Sequence, residues 1–293
     1  MSIFLTGSSG FVGNNVISYF DKKGPINKYK RGTLINIQED IVIHLAGKAH
    51  DFKNVTSYSD YYLVNTKFTN QVFDSFIASN AKVFIMLSSV KAAADKLDVE
   101  LTEDDKPNPV THYGKSKLLA ENYILSKPLL LEKRIYILRP CMIHGPGNKG
   151  NLNLLYKIVK MGIPWPLGAF DNKRSFCSID NLCFVINELI QNDQIPSGVY
   201  NIADDEALST NELIKLISES LGKKPFIWHI PKIIVKSISK IGDLFRFPLN
   251  TERLGKLTEN YIVSNKKIKL AIKKPFPVNS KDGLIKTFHF FNQ

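Results

Sequence analysis

Three side chains in this chain have the types and spacing for a proton-transfer site: Ser89, Tyr113 and Lys117. Tyr113 and Lys117 stand four apart in Tyr113-Gly114-Lys115-Ser116-Lys117-Leu118-Leu119-Ala120-Glu121, a helical pattern, so they share one helix face. A free tyrosine titrates near ~10; exchanging a proton at neutral pH needs a fall of ~3 units, about 4 kcal/mol. An ammonium at ~4 Å in an effective dielectric of ~20 supplies about that much. Lys117 is therefore expected to lower the Tyr113 phenol, which would pass a proton to or from a substrate oxygen held by Ser89. The spacing alone is cheap, because Tyr19/Lys23, Tyr123/Lys127 and Tyr156/Lys160 also carry it. Only Tyr113/Lys117 lies downstream of an apolar run ending in Ser88-Ser89, across a Pro-containing loop from Lys106 to His112.

Such a set needs a rigid frame, and the chain opens with one. Ser2-Ile3-Phe4-Leu5-Thr6 is a short apolar run; glycines follow at 7, 10 and 13, and a helical pattern runs from Val12 to Phe20. A strand passing through glycines into a helix N-terminus cradles phosphate. Glycine permits the tight turn and the close approach, while free N–H groups and the helix dipole hold the charge. Ile41 to Gly47 reads as a buried strand with His44 as a packed core histidine, Tyr61 to Ile77 as a helix, and Ala81 to Leu87 as another buried strand. Further strands are expected at Ile26–Tyr29 and Thr33–Ile37, with little room for a helix between them. This alternation builds a parallel sheet that binds ligands at its carboxyl edge, where Gly7–Gly13 and Ser89 both fall. The expected fold is α/β, a Rossmann-type doubly wound parallel sheet with a smaller C-terminal substrate lobe. The sheet domain takes residues 1–160, partly rejoined by 172–202, and the lobe is mainly 161–293. Dinucleotide folds carry an acid about 20 residues beyond the glycines for the ribose hydroxyls. Here Lys28, Lys30 and Arg31 stand instead. Read functionally, Arg31 and its neighbours suit a 2′-phosphate, and NADP is slightly favoured over NAD; read plainly, they are a solvated basic turn.

The 293 residues suffice for a large core and one or two lobes. With 44% hydrophobic and 23% charged residues the chain reads as soluble and globular. It starts directly in a strand and has no apolar run of membrane-spanning length, so a cytoplasmic address without a signal peptide is expected. Cys141, Cys177 and Cys183 lack CxxC spacing and read as buried free thiols; no metal site is assigned. The net charge of +12 points to an anionic partner. The basic residues are spread out with no nucleic-acid motif around them, so nucleic acid is not the expected partner.

Gly7-x-x-Gly10-x-x-Gly13, His44-Leu45-Ala46-Gly47, Ser88-Ser89, Tyr113-x-x-x-Lys117, and Arg139-Pro140 with Ile143-His144-Gly145-Pro146-Gly147 together resemble the extended short-chain dehydrogenase/reductase family. The likeness is to its NAD-dependent epimerase/dehydratase group, which acts on nucleotide sugars, and runs from the first strand to about Leu182. It implies Ser89, Tyr113 and Lys117 as catalytic residues, with the positive nicotinamide of the oxidised cofactor helping Lys117. It implies Phe11 and Val12 as pyrophosphate contacts beside Gly7, Gly10 and Gly13. Asn36-Ile37 would meet adenine, with Asn where the family has Asp. Leu45, Ala46, Gly47 and Lys48 would line the cofactor, and Pro140 would lie near the nicotinamide. Arg174, in Asn172-Lys173-Arg174-Ser175, would bind the nucleotide diphosphate. Arg253 and Lys256 are candidates for a second phosphate contact.

Family dehydratases place Asp-Glu directly after the catalytic Ser or Thr. Here Val90-Lys91 occupies those positions on the substrate side, so 4,6-dehydration is not expected. Epimerisation at C4 and reduction of a 4-keto sugar each need only the Ser–Tyr–Lys set. Ser88-Ser89-Val90-Lys91 resembles the subgroup that reduces UDP-4-keto-6-deoxy-N-acetylhexosamines, and reduction is narrowly favoured over 4-epimerisation. A rival of another class, a non-catalytic dinucleotide-binding regulator, has no need of all three side chains. In the lobe, Gly150 to Gly168 leaves the sheet, Phe176 to Ile190 returns to it, and Val199–Ile202 is a strand. Thr210 to Leu221 is a helix with Ser209 or Thr210 as N-cap. Lys232 to Phe247 is a basic amphipathic helix carrying Lys232, Lys236, Lys240 and Arg246. It is either a lobe helix with a solvated face or a membrane-docking surface. The oligomeric state is left open, a homodimer included.

Overall fold

The apolar run at the start of the chain forms strand β1 (Ile3–Thr6), buried at all four residues. The computed structural model describes residues 1–49, 58–128, 132–148, 150–245 and 250–292, excepting the side chains of Asn151, Phe245, Glu252 and Lys256. After β1 come α1 (Phe11–Phe20), β2 (Ile26–Lys28), β3 (Ile41–His44), α2 (Tyr58–Tyr61), a π-helical turn (Tyr62–Lys67) and α3 (Phe68–Ala78). Then follow β4 (Val83–Leu87), a 3₁₀ turn (Val90–Ala92), α4 (His112–Leu125), β5 (Arg134–Pro140), β6 (Met142–His144), α5 (Asn151–Lys160) and β7 (Phe176–Ser178). The chain finishes with α6 (Ile179–Gln191), β8 (Gly198–Ile202), α7 (Thr210–Ser220), α8 (Lys232–Phe245), α9 (Thr251–Thr258), α10 (Lys266–Ile272) and α11 (Ser280–Phe291).

Six strands pair in parallel in the order β2-β1-β3-β4-β5-β8. The order reverses at β1, which has β2 on one side and β3 on the other. The crevice for a ligand therefore opens beyond Thr6 and His44, which are partners in register. Alternate strand residues bury on opposite faces. Ile3, Leu5, Ile41, Ile43, Val83 and Ile85 join one core, and Phe4, Val42, Phe84 and Met86 join the other. Both faces are covered, as a parallel sheet requires.

The strand expected at Thr33–Ile37 does not form. Tyr29 N donates to Leu5 O at 2.9 Å, the chain turns between Lys30 and Thr33, and the segment returns unpaired. Both edges of β1 are already taken, and the three-residue β2 offers a partner too few groups. Ile37 instead buries in the core beside Val42.

A separate core of Leu152, Tyr156, Trp165, Leu213, Ile217, Leu284 and Phe288 makes the lobe, so α5 packs there and not on the sheet. Tyr261, Val263, Ile268 and Ile272 return to the sheet core. Ser209 is the N-cap of α7 and forms a capping box with Glu212. The helix expected from Lys232 is present over Lys232–Phe245; Arg246 and Phe247 lie outside the described residues. No described helix is long and apolar enough to cross a membrane.

Candidate active site

The glycine turn is built by contacts that exclude side chains. Gly7 has φ +72°, and a Cβ there would stand 2.7 Å from Ala46 N and from the Leu45 carbonyl carbon. At Gly13 it would stand 2.2 Å from Gly7 O. Gly10 differs, since its Cβ would meet only Gly7 O at 3.4 Å, an ordinary contact. Gly10 therefore leaves the outer face of the turn open to solvent. Gly10 is also the N-cap of α1 and supplies no capping side chain, which leaves first-turn N–H groups for an anion. These residues fit a dinucleotide pyrophosphate. Phe11 and Val12 open α1, and Phe11 reaches within 3.3 Å of a Cβ position on Gly145. Leu45 to Lys48 follow β3 against this turn, and Pro140 closes β5. Arg31 is exposed in the turn beyond β2. Asn36 is exposed and accepts from Gln38 Nε2 at 2.8 Å. Ile37 turns its side chain into the core.

Ser89 and Tyr113 come together across two elements. Ser89 follows β4 and caps the 3₁₀ turn, its Oγ accepting from Lys91 N at 3.2 Å. Tyr113 lies in the first turn of α4. Thr111 caps that helix through Gly114 N at 3.2 Å, and Asp95 Oδ1 accepts from the Thr111 hydroxyl at 2.9 Å. The Ser89 side chain acts on the Tyr113 phenol, so the two face one another. Lys117, only 4% exposed, donates from Nζ to Leu87 O at 2.9 Å, and its ammonium stands 2.9 Å from a Cβ position on Gly47. The other three Tyr–Lys pairs behave differently. Lys23, Lys127 and Lys160 fold back over the rings of Tyr19, Tyr123 and Tyr156, at 4.1, 4.5 and 5.8 Å.

The electrostatics correct the expectation from spacing. Burial pushes the Tyr113 phenol above its ordinary value, with the Ser89 side chain opposing the rise. Lys117 is itself pushed down to about 8 by burial, with the Glu121 carboxylate opposing. Desolvation penalises phenolate and ammonium alike, and the group that lowers the Tyr113 phenol in the chain alone is Ser89 rather than Lys117.

Residues not picked out as functional by sequence reasoning support this pair. The buried Asn65, in the π-helical turn, accepts from Lys48 N at 2.7 Å and donates to Lys48 O at 3.1 Å and Ser116 Oγ at 3.0 Å. It ties the cofactor-lining loop to α4, and single π turns recur at functional sites. Thr66 Oγ1 adds a bond to Ser116 O at 2.8 Å. Glu121 accepts from Arg139 Nε at 3.1 Å and from the Ser88 hydroxyl, which anchors α4 to β4 and β5. Its sequence signal was its place four residues beyond Lys117, on the face that carries Tyr113. His44 is buried between Thr6 and Thr69, at 2.8 and 2.9 Å. Thr69 donates its hydroxyl proton to Asn65 O, so His44 Nε2 donates to Thr69 and Nδ1 accepts from Thr6. Burial, reinforced by Lys117, pushes His44 down to about 3, which makes it a neutral core histidine as expected.

Beyond Ser89, Lys91 donates to Asp95 O at 2.7 Å and sits 4.0 Å over the Tyr261 ring. Burial lowers its ammonium to about 8, and it feels the Arg174 charge. Arg174 is paired through its backbone with Leu208 and lies near Glu259 and Tyr261. Lys91 and Arg174 are therefore brought together. Val90 is not a substrate-facing side chain, because it is 3% exposed and packs in the sheet core. Arg253 is exposed on α9; the Lys256 side chain lies outside the described residues. Cys141, Cys177 and Cys183 are buried free thiols, and burial raises all three.

The sequence profile of the NAD dependent epimerase/dehydratase family matches residues 26–203. The UDP-glucose 4-epimerase of Vibrio cholerae is 31% identical over 259 residues, 78% of each chain. The chain belongs to this family. NAD(P) binding and the epimerase/dehydratase class come with membership, and the glycine turn accounts for the first physically. A second relative from the family, the N-acetyl-alpha-D-glucosaminyl-diphospho-ditrans,octacis-undecaprenol 4-epimerase of Escherichia coli O157:H7, is 29% identical over 253 residues, 78% of this chain and 75% of its own. The crystal structure of UDP-N-acetylglucosamine 4-epimerase from Bacillus cereus superposes with a TM-score of 0.79, covering all of both chains at 18% identity, a likeness of fold.

Proposed function

We propose that this protein interconverts the C4 alcohol and C4 ketone of a UDP-linked hexose or N-acetylhexosamine, with 4-epimerisation as its net reaction. One observation carries the C4 chemistry. Ser89 acts on the Tyr113 phenol, and Val90 and Lys91 stand after Ser89 where a dehydratase would need carboxylates. Bound NAD(P) supplies the acceptor and donor of the C4 hydride. Ionised Tyr113 takes the C4 hydroxyl proton as the ketone forms, the sugar turns its opposite face to the cofactor, and the proton returns to the C4 oxygen as the inverted alcohol forms. Ser89 Oγ holds that oxygen throughout. Lys117, beside Gly47 of the cofactor-lining loop, would hold the cofactor's hydroxyls. Lys91 and Arg174 give the substrate side positive charge suited to a diphosphate.

The epimerase direction is supported by the two relatives described above, both 4-epimerases. Reduction of a UDP-4-keto-6-deoxy-N-acetylhexosamine is the second reading. It is favoured by a Tyr113 phenol held protonated, the acid a ketone reduction needs, and by the Lys30–Arg31 turn, which suits NADPH. Incubation with UDP-glucose or UDP-N-acetylglucosamine and catalytic NAD, followed by NMR, tests the first reading by appearance of the C4 epimer. Stoichiometric NADPH oxidation with the 4-keto sugar, and no epimer from either UDP-sugar, would replace it with the second.

A further inference from the structure

Helix α8 is amphipathic the wrong way round for a packed helix. Its buried side is narrow, with Val235 and Ser239 at 3% and 1% exposure. Ile233, Ile234, Ile238, Ile241 and Leu244 are all exposed, Ile233 and Leu244 to 75% and 77%. At 3.6 residues per turn these five cover an arc of about 140°. Lys232, Lys236 and Lys240, four apart and all exposed, form a row along one border of that arc. No carboxylate pairs with the three lysines among the described residues. The one described acid of the helix, Asp243, accepts from Thr251 N at 3.0 Å and from the Thr251 hydroxyl. Phe226 and Trp228, just before the helix, are also exposed and stack edge to face.

We infer that α8 docks the protein on the surface of an anionic phospholipid bilayer. A helix with a wide apolar arc and a bordering lysine row lies in the bilayer interface. The aliphatic side chains enter the acyl boundary while the lysines extend their ammonium groups to lipid phosphates. Charge decides between occupants. A second copy laid on this face would bring together two lysine rows on chains of net charge +12, whereas acidic lipid neutralises them. The surface is independent of the chemistry at Tyr113 and does not rest on the proposed reaction.

Co-sedimentation of the full chain with vesicles of phosphatidylcholine, alone or mixed with phosphatidylglycerol, tests this. The protein is expected to pellet at least tenfold more with the mixed vesicles at low salt, and to be released as salt rises. Ile234→Glu/Ile241→Glu and Lys236→Glu/Lys240→Glu, all at exposed positions, should each lower that binding at least tenfold. Neither should alter turnover of a soluble UDP-sugar or the circular dichroism spectrum. Absence of binding to the mixed vesicles at low salt overturns the inference, as does binding that both variants retain. A dimer in sedimentation velocity that Ile234→Glu/Ile241→Glu disperses, without vesicle binding by the wild type, would assign the face to a second copy instead.

Discussion

A Cβ on residue 114 would stand 2.3 Å from the carbonyl oxygen of Lys91, so the glycine between Tyr113 and Lys117 is what lets the Ser89 turn seat against α4. The same contact would place Pro109 Cβ at 2.8 Å. Gly114→Ala must separate the two elements that carry Ser89 and Tyr113. We expect kcat to fall at least tenfold and stability by about 1–3 kcal/mol, with affinity for NADH or NADPH little changed. Steady-state kinetics beside a cofactor titration checks this; unchanged kcat would show that the turn can move without consequence.

Tyr113→Phe keeps the ring against Tyr61 and removes the hydroxyl. Loss of a positioned proton donor and acceptor costs about 10²–10⁴-fold in turnover. Cofactor binding, followed by nicotinamide fluorescence, should stay within about twofold. A variant with full turnover would remove Tyr113 from the reaction, and a wild type that binds cofactor but turns over no UDP-sugar would revive the regulator.

Lys117 makes the site at the expense of the fold. Its ordinary pKa of 10.5 applies to the unfolded chain, and burial brings it to about 8 in the folded one. Between pH 8 and 10.5 the unfolded state holds a proton that the native state has released, so stability rises with pH across that window. Below pH 8 both states are charged and the full penalty of about 3 kcal/mol stands. Lys117→Met should therefore be inactive yet more stable at pH 7, less what the Leu87 hydrogen bond contributed. Its advantage should shrink towards pH 10.5. Urea titrations at pH 7 and pH 10 measure the difference.

His44 gives an opposite limb. Its folded value of about 3 lies below the ordinary 6.5, so as pH falls below 6.5 the unfolded chain takes up a proton that the buried ring refuses. Stability should decline by up to about 1.4 kcal/mol per unit through this window, and most cleanly above pH 4.5, before carboxylates titrate. His44→Gln should flatten that slope, whatever it does to stability at pH 7. Thermal melts from pH 7 down to pH 4.5 would show it, and parallel slopes for both proteins would refute it.

Local rules made much of this protein legible. Glycine spacing after an apolar run placed the phosphate turn, and the i, i+4 rule put Tyr113 and Lys117 on one face. The apolar runs at Ile41 and Val83 became central strands. The strand expected at Thr33–Ile37 failed because apolar content says nothing about which sheet edges are free, and β1 has none. Val90 was misplaced for a similar reason: adjacency to Ser89 in sequence does not tell which side of a 3₁₀ turn meets the core.

By itself the amino-acid sequence determined the family, the sheet and the candidate catalytic side chains, because those depend on residue type and short-range spacing. The tertiary structure alone decided their protonation and their support. The phenol is raised and the ammonium lowered by burial, which the whole fold creates. Lys117 meets Leu87, Asn65 meets Lys48 and Ser116, and Gly114 meets Lys91 across gaps in sequence that no local pattern spans.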